Sequence, residues 1–253
     1  MQKKVTSNTT FLPAFSQFPA LIAAQSTRHG GISPTPYASL NLSLHTDDHP
    51  NNVAINRQRF FEHLGIPMDR LAYSHQVHGH QVAIVDQAGA LEGYDALISR
   101  QKGLFLCVTI ADCLPILVYD PVQNGVAAIH AGWRGTVGRI VEKTLQLMIE
   151  HWGSRVADCF AYLGTAIDEC SFEVDEDVAR QFQDSHQRWD EKRGKYLIDL
   201  KKANMDQLLG MGFKRARISQ SPYSTYLDNE HFFSYRKEGI TSGRMLAVIG
   251  IRQ

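Results

Sequence analysis

Three histidines crowd into the stretch SHQVHGHQV, residues 74 to 82, in a chain that has only 11 among its 253 residues. Imidazole nitrogens are ready metal ligands near neutral pH, but one loop does not make a site, and further ligands must arrive from elsewhere in the chain. Two candidates are Cys113 of ADCLP and His130 of HAGWRG. The turn DPVQNG separates two apolar runs and predicts a β-hairpin. Cys113 lies eight residues before Pro121 and His130 five after Gly125, so closing that hairpin brings both side chains into one neighbourhood. Pro115 cannot donate a ladder hydrogen bond, which places ADCLP at a bulge or strand break able to aim Cys113 out of a sheet. A thiolate and an imidazole are two zinc ligands, and QVHG offers a third. Three nitrogen or sulfur ligands with one open position is the arrangement of a catalytic zinc, where bound water becomes acidic enough to react near neutral pH. In HAGWRG, glycines surround His130 and Arg134 at a strand-to-helix turn, where backbone amides and a guanidinium can receive an anion such as phosphate.

Each residue has a plainer reading when taken alone. A cysteine in an apolar strand is usually packed core, the reading kept for Cys107, Cys159 and Cys170. A histidine beside glycine is most often a turn residue, and His75 and His80 stay with that reading. Arg28, Arg134, Arg236 and Arg244, one at a time, read as surface or salt-bridge residues.

The elements that must position the candidates follow from periodicity. Residues 1 to 48 read as short strands and turns, because glycines and prolines in TRHGGISPTPYASLNLS forbid a long helix. NNVAINRQRFFEHLG carries Val53, Phe60, Phe61 and Leu64 at helical spacing, with asparagine as cap and Gly65 as stop. QVAIV and DALIS are short strands, followed by the hairpin. From Thr136 a 3.6 period runs through Val137, Ile140, Val141, Thr144, Leu145, Met148, Ile149 and Trp152 to Gly153, predicting a second helix. DCFAYLGTAI is expected as a strand, DEDVARQFQDSHQRW as a helix, DLKKANMDQLLGMG as a helix capped by Asp199, and RARISQS and RMLAVIGI as strands. The pattern predicts an α/β or α+β fold, a single domain over residues 1–253 with a largely antiparallel or mixed sheet flanked by helices.

Composition removes several function classes. Lysine plus arginine number 26 against 26 acidic residues, so no global field draws the chain to nucleic acid or an anionic membrane. The longest apolar stretches, GLFLCVTI and MLAVIGI, fall far short of the roughly 20 residues that span a bilayer. The N-terminal MQKKVTSNTTFLPAF lacks the apolar core of a signal peptide. Four cysteines without a CxxC pair suit free thiols or metal ligands in a reducing compartment, and the expectation is a cytoplasmic protein.

Taken together, TRHGGISPTPYASLNLSLHTDDHPNNVAINRQR, QVHGHQV, DALIS, ADCLPILVYD, AAIHAGWRGTVGRI and FFSYRKEGITSGRMLAVIGI resemble, in order and spacing, the laccase-domain family of the YfiH type, from about Thr27 to the C-terminus. The family is also known as purine nucleoside phosphorylases or multicopper polyphenol oxidases, and bacterial members carry the name peptidoglycan editing factor. The resemblance implies a zinc ion held by His78, Cys113 and His130, and an enzyme that phosphorolyses adenosine, inosine and methylthioadenosine and deaminates adenosine. Candidates for holding substrate or phosphate, ranked by their place in the motifs, are Arg28, Asn41, Arg134 and Arg236. Asp112, beside Cys113, is the candidate acid/base partner, because the HxE with PCxxC pattern of other zinc deaminases is absent. The chain departs from the family pattern at GTAIDEC and SPYSTY, loops that are expected to bear on substrate preference. The alternatives are copper-dependent phenol oxidation, hydrolysis of a peptidoglycan precursor, and a zinc-stabilised binding module without catalysis. Copper suits His and Cys ligands, yet the chain lacks the paired His and Cys motifs of a full multicopper oxidase.

Overall fold

The computed structural model describes residues 7–10 and 12–253; the expectation for the N-terminal MQKKVT lies outside the described residues. Short strands β1 (Thr9–Thr10) and β2 (Leu21–Ser26) open the chain, with a 3-10 turn between them. Helix α1 (Pro50–Leu64) starts on His49, whose side chain accepts from the Asn51 amide, with Pro50 in the first turn. The cap is therefore this histidine and not the asparagine expected, because proline needs no amide partner at that position. Gly65 closes the helix at φ +67, a conformation glycine adopts without strain.

Strands β3 (Leu71–His75), β4 (Val82–Ile84), β5 (Gly89–Glu92) and β6 (Ala96–Ser99) precede the long strands β7 (Phe105–Ile110), β8 (Leu114–Asp120) and β9 (Gly125–Ala131). One turn of helix, α2 (Trp133–Val137), is separated by Gly138 and the left-handed Arg139 from α3 (Ile140–Trp152). The periodic run thus forms two helices instead of one. Then come β10 (Phe160–Leu163), β11 (Glu173–Val174), α4 (Glu176–Ala179), β12 (Gln187–Asp190), β13 (Lys195–Ile198), α5 (Leu200–Gly210), β14 (Ile218–Gln220), α6 (Tyr235–Glu238) and β15 (Met245–Ile251). The helix expected over DEDVARQFQDSHQRW stops after one turn. Its second half pairs as β12 against β13, with Gly194 at φ +60 in the connecting turn, so cross-strand pairing prevails over the helical spacing. Asp199 caps α5 as expected, accepting from the Lys202 amide. RARISQS is half strand, since Arg215–Arg217 is a 3-10 turn.

Among the described residues the strands form two six-stranded mixed sheets and a small three-stranded one. The first is ordered β1-β2-β15-β7-β3-β5, the second β14-β10-β8-β9-β6-β4, and the third β11-β13-β12. Leu106, Val108, Ala247 and Ile249 of the first sheet pack against Leu117, Val126 and Ala128 of the second. The opposite face of the second sheet takes α3 and α5 through Ile116, Ile129, Val141, Leu145 and Leu208. The opposite face of the first sheet takes Phe60 and Phe61 of α1. These four layers bury both faces of the central strands, which is why β8, β9 and β15 are buried at every residue and read as unbroken apolar runs.

Candidate metal centre

The chain crosses from the first sheet to the second between Ile110 and Leu114, so ADC is the strand break that Pro115 signals. Asp112 turns this crossing at φ +82. In the β8–β9 ladder Leu114 stands opposite Ala131 and Pro115 opposite His130, which leaves Cys113 just beyond the end of the ladder. His78 comes from the loop between β3 and β4, at φ +56. The ligand atoms of His78, Cys113 and His130 all lie within 4.8 Å of one another, and the two imidazoles meet edge to face with centroids 4.9 Å apart. A tetrahedral ion with bonds of about 2.0–2.3 Å spaces its ligands roughly 3.3–3.8 Å apart, a closure within reach of small side-chain rotations. A Cβ added at Gly132 would sit 3.1 Å from Cys113 Sγ, 3.6 Å from the His78 ring and 3.9 Å from the His130 ring. Glycine there keeps the ligand set clear, and the residues present fit a metal ion.

The remaining histidines of the opening stretch do other work. His75 is exposed and hydrogen-bonds Glu92 at 3.0 Å. The His80 ring lies over Gly138, where an added Cβ would come within 2.5 Å of it. Gly132, Gly135 and Gly138 fall three residues apart, and a Cβ at Gly135 would meet the Gly79 carbonyl at 2.9 Å. The side of α2 without side chains is therefore the surface on which the His78 loop rests.

Asp95, at the start of DALIS, ties the ligands together and was not singled out from the sequence. Its Oδ1 accepts from His130 Nδ1 at 2.8 Å, its Oδ2 accepts from the amides of Gly79 at 2.7 Å and Val77 at 3.2 Å, and its carbonyl accepts from the His130 amide at 2.7 Å. The carboxylate thereby directs His130 Nε2 toward the ligand set and fixes the backbone on both sides of His78. Burial pushes the Asp95 carboxyl up, but the hydrogen bonds from His130 and the two amides outweigh it and hold the group below its usual value. Burial also opposes the Cys113 thiolate, yet the charge of His130 and hydrogen bonds from His130 and His78 bring Cys113 down to about 6. Against its own desolvation, His130 is raised to about 9 by Cys113 and Asp95.

The ligand set opens into a cavity of about 540 Å³, also lined by Asp112, Arg134, Phe172, Tyr235, Arg236 and Arg244. That volume lies within the range of small-molecule sites. Arg134 stacks on Trp133, its Cζ 4.3 Å from the ring centre; the helix that begins here is a single turn and adds little as an anion receptor. Arg236 reaches the carbonyls of Ser171 and Glu173 and lies over Phe172. Arg244, which the sequence did not rank, spans to the carbonyls of Ser242 and Gly243 beside Tyr235.

Arg28 and Asn41 are placed elsewhere. The Arg28 guanidinium pairs with Glu238 at 2.9 Å and with the carbonyls of Ala38 and Asn229. Asn41 is fully buried, donating to Thr46 and Asp48 and accepting from the Arg244 amide at 2.9 Å. Arg28 braces a loop, and Asn41 anchors the segment that presents Arg244. Asp112 lines the cavity, but its two carboxylate oxygens accept from Thr225 and from the Arg236 amide, each at 2.6 Å. It is thus built in as a brace for the α6 loop.

The two departures from the family pattern meet in space. The Thr225 amide donates to the Ala166 carbonyl, the Ile167 amide to the Asp112 carbonyl, and Ile167 lines the cavity.

The family model described as "Multi-copper polyphenol oxidoreductase laccase" matches residues 22–252. The chain is 37% identical over 243 residues to "Purine nucleoside phosphorylase" of Bacteroides thetaiotaomicron, covering 90% of each chain. It is 34% identical over 240 residues to "Adenosine deaminase RL5" of an unknown prokaryotic organism, covering 88% of this chain and 91% of that one. The crystal structure of YlmD from Geobacillus stearothermophilus superposes with a TM-score of 0.92 at 33% identity, covering 99% of this chain and 98% of the other. The chain belongs to the multi-copper polyphenol oxidoreductase laccase family.

Proposed function

We propose that the protein is a zinc-dependent purine nucleoside phosphorylase acting on adenosine, inosine and methylthioadenosine, with adenosine deaminase activity. One observation carries this reading: the open side of the His78, Cys113 and His130 set faces a cavity that Arg134, Arg236 and Arg244 line without a carboxylate ion pair among the described residues. Three such guanidiniums form an anion receptor beside a metal-binding set. When bound, zinc supplies Lewis acidity there. In phosphorolysis, a phosphate oxygen forms a bond to C1′ of the ribose while the C1′–N9 bond breaks, and the purine leaves with the electron pair and gains a proton. The arginines hold the phosphate and offset its charge as it approaches C1′. Phe172 and Tyr235 offer apolar ring faces for the base or sugar. In deamination, water adds at C6 of adenine and ammonia leaves with the electrons of the C6–N6 bond. The names of the two relatives support both reactions. A multicopper oxidase needs several ligand clusters, and among the described residues this is the single group of its kind.

The test is elemental analysis of the purified protein, then chromatography after incubation with adenosine, with and without phosphate, for wild type and Cys113→Ala. Stoichiometric zinc, with adenine, hypoxanthine or inosine formed by wild type alone, is the expected result; dependence on phosphate separates phosphorolysis from deamination. Intact adenosine with zinc-loaded wild type would overturn the reading and turn attention to cell-wall precursors or a binding role.

A further inference from the structure

Arg57 lies on the buried side of α1 and is 5% exposed. Its guanidinium carries five N–H donors, and among the described residues it makes one hydrogen bond, from Nη1 to the Leu42 carbonyl at 3.0 Å. The rings of Phe61 and Tyr73 lie 5.5 and 5.3 Å from its Cζ, which eases the charge without cancelling it. Among the described residues no carboxylate pairs with it; the neighbours acting on its charge are Cys107 and Tyr73. The Cys107 thiol is no counter-ion, because burial pushes it up to about 12 against the pull of Arg57. A buried cation without a partner is costly, so a counter-charge at this position would be strongly favoured.

Room for one exists. Arg57 borders a cavity of about 20 Å³, walled also by Tyr73, Ser74, Gln76, Cys107 and Thr109. The volume is slightly more than the roughly 10–15 Å³ one water requires on this measure, which suits a single atom. Ser74, Gln76, Thr109 and His45 wall both this cavity and the larger one, so its contents lie directly behind the candidate site.

We propose that this cavity is a binding site for one monatomic monovalent anion, chloride under cellular conditions, held by the unused N–H donors of the Arg57 guanidinium. The site is independent of the nucleoside reading and differs from the receptor formed by Arg134, Arg236 and Arg244.

Crystals of the full chain soaked in sodium bromide and measured at the bromine absorption edge test it directly. An anomalous peak beside the Arg57 guanidinium is the expected result. Bromide peaks on the surface with none at Arg57 would overturn the proposal and leave the cavity to water. In solution, melting is followed in sodium chloride and in sodium gluconate at equal ionic strength. Chloride should raise Tm saturably, by about 3–6 °C at tenfold excess over its Kd, and Arg57→Met should remove the difference. Equal Tm in the two salts for wild type would also sink the idea, whether or not the variant folds.

Discussion

At the scale of the residue, Asp95 makes the sharpest prediction, because it holds His130 by its ring and His78 by its flanking amides. Asp95→Asn keeps the shape and removes the charge. Zinc affinity should fall about 10–100-fold, read by competition with a chelating dye, while circular dichroism stays that of wild type. An unchanged affinity would reduce Asp95 to a packing residue. A second prediction concerns the metal-free pair. Cys113, depressed from 9.0 to about 6, contributes stability that is full above pH 9 and lost as pH falls through about 6. His130, raised from 6.5 to about 9, contributes stability that is full below pH 6.5 and lost as pH rises through about 9. The two trends offset each other between those limits, so melting is a poor probe and thiolate chemistry a good one. In a Cys170→Ala background, which removes the exposed thiol, iodoacetamide should alkylate metal-free Cys113 with a midpoint near pH 6. A midpoint near 9 would show that His130 carries no charge there. Cys113 and His130 were legible as neighbours because the hairpin turn and a proline break limit where ADC and HAG can lie, whereas His78 was singled out from the three loop histidines by the family resemblance. Asp95 was hidden because DALIS reads fully as a buried strand. Arg28 and Asn41 show the reverse error: neighbours of a motif in sequence need not share its cavity.

At the scale of the element, α2 is a spacer whose glycines set how closely the His78 loop approaches the β9 end. Gly135→Ala puts a methyl 2.9 Å from the backbone oxygen of Gly79, which cannot turn aside as a flexible side chain would. The expected cost is about 1–3 kcal/mol in urea unfolding, with weaker zinc binding because the His78 loop must move. Gly65→Ala is the control, since its added Cβ meets nothing within 4 Å and only the positive φ is strained. It should cost about 1–2 kcal/mol and leave zinc binding alone. Equal zinc affinity in Gly135→Ala would show that α2 does not set the loop's position. Helix α1 was legible through its apolar spacing and stop, α5 through its Asp199 cap and closing glycine, and the β8–β9 hairpin through its turn. The α2–α3 break was not, because Val137 and Ile140 keep the apolar spacing across Arg139, whose left-handed backbone leaves no mark in that pattern. The β12–β13 pair was misread for a related reason: Val178 and Phe182 lie four apart, as in a helix, while the turn that decides the matter comes later, at Gly194.

At the scale of the whole molecule, the ligand set sits where the two central sheets exchange the chain, at the edge of a core already complete. Cys113 is held by the end of the β8–β9 ladder, His130 lies within β9, and His78 hangs from Asp95, which is itself fully buried. None of these supports needs an ion to form. Four layers of buried Leu, Ile, Val and Phe supply the folding drive, unlike small domains whose only core is the metal. If the protein is the zinc enzyme proposed above, removal of the metal with a chelator should therefore leave near-ultraviolet circular dichroism and sedimentation unchanged at 25 °C, abolish turnover of adenosine, and lower Tm only by the binding linkage, with activity returning on addition of one equivalent. Loss of the near-ultraviolet signal on chelation would mean that the ion organises the core, and the site would then be structural. The same experiment separates an enzyme from a zinc-stabilised binding module, because only the former can be folded, metal-free and inactive at once.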